Sequence, residues 1–158
     1  MGILGWIHTI FGVVALLAGT AVVLLKKGTR LHRTLGHVYF NGMLALNITA
    51  LFIYNLFGGF GPFHWLALFS LITLIAGMIP VLFRWPDKRW VEFHAGFISG
   101  SYVGLVAAFA AEITSRLPGT ENSFGLVVGV TSAVINGVGF ALIIRYLTQN
   151  RLAQEFKS

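Results

Sequence analysis

The side chains able to do chemistry in this chain are five histidines, His8, His32, His37, His64 and His94, together with Glu112 near the end of an apolar stretch. No cysteine is present, which removes disulfides, thiolate metal sites and thiol catalysis from consideration. A metal or cofactor would therefore rest on imidazole, carboxylate, methionine or backbone groups. Imidazoles drawn in pairs from non-adjacent helices suit bis-histidine ligation of haem b, because haem iron takes axial ligands from opposite sides of the macrocycle. Imidazoles converging with a carboxylate suit zinc or another divalent metal instead.

The elements that position these groups follow from composition. Of 158 residues, 56% are hydrophobic and only 10% charged, too little polar surface for a soluble domain of this size. Apolar stretches at about 3–25, 35–56, 63–83, 90–113 and 124–147 each approach the ~20 residues a helix needs to cross hydrocarbon. Pro and Gly mark the connections, as in FGGFGP at 57–62 and SRLPGTENS at 115–123. The expectation is an all-α integral membrane protein, one transmembrane domain over 1–158, with helices 1–4 as an antiparallel four-helix bundle. The first helix has no basic leader and no small-residue cleavage site before Lys26, and reads as retained.

Lysine and arginine orient the chain. With alternating helices, Lys26, Lys27, Arg30, Arg33, Arg84, Lys88, Arg89, Arg145, Arg151 and Lys157 share one side, leaving Arg116 on the other. The amino terminus is then outside, and the carboxyl tail RYLTQNRLAQEFKS is a basic, cytoplasmic extension of the last helix. Clusters between apolar segments explain the high pI of about 10.2 by topology rather than by nucleic-acid binding. The expected location is a cytoplasmic membrane, multi-pass. Beyond the lipid bilayer, the partners this allows are a quinone, a redox partner subunit or a second copy of the chain.

On this topology the histidines form two layers. His8 in helix 1 and His64 at the start of helix 3 lie near the outer face; His37 at the start of helix 2 and His94 in helix 4 lie near the inner face, with His32 in the adjoining loop. His94 and Glu112 are five whole turns apart, about 27 Å of rise, so Glu112 joins the outer layer. The haem reading assigns His8 and His64 to an outer centre and His94 with His37 or His32 to an inner one, for electron transfer. The divalent-metal reading uses His8, His64 and Glu112 outside, and His32, His37 and His94 with Glu92 inside. Its functional counterpart is a non-catalytic membrane subunit. Interhelical packing is the simpler account of the Gly96–Gly100–Gly104 ridge, whereas on helix 1 Gly12, Ala15 and Gly19 share their stripe with His8, which leaves a cofactor face open there. Asn47 and Asn136 read as polar contacts between helices, and Glu112 with Arg116 as an i,i+4 ion pair competing with any metal role.

These segments resemble the bacterial membrane-protein family labelled domain of unknown function 2306. The likeness lies in GTRLHRTLGHVY at 28–39, GPFHWLALFSLITLIAG at 61–77, HAGFISGSYVGLVAAFAAE at 94–112 with Arg116 and Pro118 following, and His8 with its glycine face. It implies a multi-pass membrane protein without an established reaction, and marks His8, His32, His64 and His94, an arginine often standing where this chain has His37. The layering is also similar to that of transmembrane b-type cytochromes. No phosphate-binding glycine loop and no nucleophile with a neighbouring base is evident, which argues against a kinase or a hydrolase.

Overall fold

A computed structural model describes residues 2–54 and 58–155. The chain is helical: α1 (Ile3–Leu24), α2 (Arg30–Ala50), α3 (Pro62–Phe83), α4 (Trp90–Thr114) and α5 (Phe124–Glu155), with a single 3₁₀ turn at Glu121–Ser123, and no strand among the described residues. Four of these helices, α1, α3, α4 and α5, are long and apolar enough to cross a membrane.

The second helix departs from expectation in a way that matters for the site. It begins at Arg30 rather than near residue 35, because the Thr29 hydroxyl accepts the His32 backbone N–H, 3.1 Å, and so caps the first turn. Arg30, His32 and Arg33 are thereby inside the helix, and with His37, Asn41 and Asn47 they leave α2 too polar to join the set of four. His32 accordingly belongs to α2 and not to a loop, and His37 lies two turns into the helix rather than at its start. At the other end α2 stops at Ala50, short of the expected residue 56; residues 55–57 lie outside the described residues. The last helix runs on past residue 147 to Glu155, as the tail reading requires, while the Arg151 side chain and Lys157 fall outside the described set.

Two compact units divide the chain, Met1–Met78 and Ile79–Ser158, with the boundary inside α3. In the first, α1 and α2 form an antiparallel hairpin. His8 meets Thr49, a Cβ on Gly12 would lie 3.4 Å from Leu46, and a Cβ on Gly42 would lie 3.3 Å from that of Ala15. Paired numbers that rise on one helix as they fall on the other define the register. Gly28, at φ 79°, makes the left-handed step that lets so short a turn join the two helices. The seam is filled by Ala15, Ala18 and Val22 against Tyr39 and Met43, the last two almost wholly buried.

In the second unit α4 and α5 form another antiparallel hairpin. Its register is read from Gly96 against Leu147, Gly100 against Phe140, Gly139 against Val103, and a 3.2 Å contact between the Thr114 and Thr131 hydroxyls. Two ion pairs form here between near neighbours on the chain. Arg89 donates to Glu92 at 3.0 Å, and Arg116 donates to Glu112.

Candidate functional site

Within the first unit the hairpin sorts the histidines by height. His8 is one and a half turns from the start of α1 and pairs with the last turn of α2, while His32 and His37 lie in the first half of α2, beside the Lys26–Thr29 turn. His64 opens α3 and is met by Tyr54, four residues beyond the end of α2, whose ring stacks on the imidazole at 4.7 Å. His8 is thus tied to the last turn of α2, and His64 to Tyr54 just beyond that helix.

Their protonation differs, and the surroundings dictate how. Thr49 Oγ1 lies 2.8 Å from Ala45 O and 2.9 Å from Leu46 O, so its one proton goes to those carbonyls and toward His8 it acts as acceptor. His8 Nδ1, 3.0 Å away, is then the donor, and the ring's lone pair falls on Nε2. At His64 the logic reverses. The Gly61 backbone N–H donates to Nδ1 at 3.0 Å, so in the neutral ring the proton resides on Nε2. That ring is only 3% exposed, and Nε2 is buried without a hydrogen-bond partner.

A second buried donor shares this end of the unit. Asn47 Nδ2, one turn before the end of α2, is also buried without a partner, in a residue 5% exposed. Buried donors lacking acceptors forgo roughly 1–3 kcal/mol each, so two at one end mark an environment short of hydrogen-bond acceptors. Aromatic rings frame His64: Phe60 stacks on it at 4.8 Å, and Trp65 meets Phe60 edge-on at 5.3 Å. In the connection between α2 and α3, Gly58, at φ 64°, and Gly59 bring Phe60 and Gly61 back onto the ring.

These observations test the cofactor expectations. Bis-imidazole ligation needs a lone pair from each ring, and a ligating histidine ordinarily donates through its other nitrogen. His8 meets that description; His64 has the opposite tautomer and does not fit an iron ligand through Nε2. For a divalent metal, no three His, Asp or Glu side chains gather among the described residues. Glu112 is engaged by Arg116 on an exposed part of α4. His32 and His37 are both helical, hence about 140° apart around α2, so they cannot converge on one point beside it. His94 is half-buried, one turn into α4.

A family model described as predicted membrane protein (DUF2306) matches residues 5–147. The chain belongs to that family. The match runs from the first turn of α1 into the last third of α5, so it covers most of both hairpins and the whole α2–α3 connection of this DUF2306 protein. No curated protein and no solved structure matches the chain.

Thr49, Asn47, Tyr54 and Phe60 enter the site only with the structure in hand. One signal for Thr49 is present in the sequence. A hairpin turning near residues 28 and 29 must bring position 8 opposite position 49, whatever the side chains are.

Proposed function

We propose that this DUF2306 protein crosses the bacterial inner membrane five times, amino terminus outside, and that its outer end binds a lipid-soluble carbonyl compound of the quinone class in the service of membrane electron transfer. The fifth crossing is α2. Its polar first turns are compatible with spanning because its small-residue seam against α1 covers the middle of the helix, and because Arg30 and Arg33 sit at the end where snorkelling to the headgroups is cheap. The excess of lysine and arginine on one side supports the orientation.

A single observation carries the ligand class: the buried His64 Nε2–H that lacks an acceptor, beside stacking rings. A carbonyl oxygen supplies the acceptor and a flat conjugated ring suits an aromatic surround. Asn47 Nδ2 is a second donor at the same end. A zinc or iron ion would require the lone pair that the Gly61 N–H already occupies at Nδ1 or the proton removed from Nε2.

The test is equilibrium binding of a short-chain benzoquinone to the purified protein in nanodiscs. Saturable one-to-one binding is expected, weakened roughly tenfold by His64→Leu and restored in part by His64→Gln, whose amide keeps a donor. No saturable binding by the wild type, or equal binding by His64→Leu, overturns the reading. One observation favours haem instead, namely the anchored Nδ1–H of His8 that directs a lone pair to Nε2. A Soret band in the wild type that disappears in His8→Ala would replace the quinone with haem b as the bound group.

A further inference from the structure

All four cationic side chains of the first unit, Lys26, Lys27, Arg30 and Arg33, fall within eight residues, and that unit contains no aspartate or glutamate; the chain's five acids begin at Asp87. Lys27 is committed to its own helix, donating to Val22 O at 2.7 Å and Val23 O at 2.6 Å, and burial lowers its pKa below the ordinary lysine value. Lys26, Arg30 and Arg33 remain as exposed charges with no acid in their unit to neutralise them.

Directly below this cluster a groove of about 500 Å³ runs along the hairpin. Its apolar floor is Phe11 and Val14 of α1 with Val38 and Gly42 of α2, and its polar end is Thr34 and His37. Arg30, Thr34, His37, Val38 and Asn41 lie at i, i+4, i+7, i+8 and i+11, one face of α2, so Arg30 stands one turn beyond the polar end of the groove. From Arg30 to Gly42 is about 18 Å of helix, close to the ~15 Å half-thickness of the hydrocarbon core. Headgroup chemistry at one end, an apolar channel below it and the depth of one leaflet coincide on a single face.

We infer that this face holds one anionic phospholipid, its phosphate between Arg30, Arg33 and Lys26 and an acyl chain against Phe11, Val14 and Val38. Charge complementarity selects the headgroup, since a zwitterionic lipid brings a cation of its own into a cluster that has no internal counter-charge. Arginine suits the task because its guanidinium grips phosphate through two donors at once. His37 and Thr34 add polar contacts at the level of the glycerol esters.

The experiment is native mass spectrometry of the full chain released from nanodiscs of equal phosphatidylglycerol and phosphatidylcholine. One phosphatidylglycerol per chain should persist through delipidation, in roughly tenfold preference over phosphatidylcholine. Arg30→Gln with Arg33→Gln should abolish that preference. Val38→Trp, which fills the groove and leaves every charge in place, should lose the retained lipid as well. Equal retention of both lipids by the wild type, or an unchanged preference in the arginine variant, overturns the inference. Retention by Val38→Trp also overturns it, since surface charge alone would then explain the attraction.

Discussion

The two hairpins of this molecule solve the same packing problem with opposite treatments of polarity. The α1–α2 hairpin closes through small residues, Gly12 under Leu46 and Gly42 under Ala15, and its polar side chains make hydrogen bonds with no ion pair among the described residues. The α4–α5 hairpin closes through glycines set beneath bulky side chains, Gly100 under Phe140 and Gly139 under Val103, and pairs Glu92 and Glu112 of α4 with arginines one turn away. The contrast separates scaffold from site. Groups matched within their own helix have nothing left to offer a ligand, whereas a lone proton on His64 and unbalanced arginines beside the groove do.

The largest effect should come from the tighter seam. A Cβ on Gly139 would run into Val103 Cγ1 and lie 2.7 Å from its Cγ2 and 3.1 Å from its Cβ, and a β-branched side chain has little freedom to step aside. Gly139→Ala is expected to destabilise the protein by about 1–3 kcal/mol despite alanine's better helix propensity. At Gly42 the new methyl would be 3.3 Å from the Ala15 Cβ, so a shift of tenths of an ångström suffices and the propensity gain offsets most of the cost. Unfolding of both variants in detergent micelles tests the ranking; a Gly42→Ala loss as large as that of Gly139→Ala would mean the first hairpin is the less tolerant.

A smaller effect concerns the His8–Thr49 bond that ties the outer end of the first hairpin. Thr49→Val preserves shape and removes the hydroxyl that relays His8 Nδ1–H to the Ala45 and Leu46 carbonyls. A double-mutant cycle with His8→Ala should return a coupling of about 0.6–2 kcal/mol, the span typical of interhelical hydrogen bonds in membranes. A coupling near zero would show that the first hairpin is held by packing alone.

Much of this architecture is legible from residue order, for a physical reason. Hydrocarbon thickness imposes a length and water's absence imposes helix, so α1, α3, α4 and α5 announce themselves as apolar runs. The start of α2 is hidden because arginine and histidine read as a loop while the Thr29 cap, a single hydroxyl, extends the helix beneath them. The expectation that groups His8 with His64 follows from counting turns. Their opposite tautomers do not, because they depend on which proton the Gly61 amide and the Thr49 hydroxyl aim at each ring, a matter of ångströms that spacing cannot convey.

The smallest effect is predicted at Glu112, where the metal and ion-pair readings of the sequence competed for one carboxylate. Arg116 donates to it from one turn away, and both side chains are well over half exposed. Exposed i,i+4 pairs contribute about 0.3–0.5 kcal/mol and less as salt rises, so Glu112→Gln should shift stability by no more than that and lose even this small difference at high ionic strength. A metal ligand would behave otherwise. Its neutral isostere would lower the content of bound metal measured by elemental analysis, and the stability difference from wild type would vanish on chelation rather than on adding salt. Salt sensitivity without chelator sensitivity assigns Glu112 to the scaffold and leaves the ligand chemistry with the acid-free first unit, whereas the reverse pattern would move the functional centre of the molecule to α4.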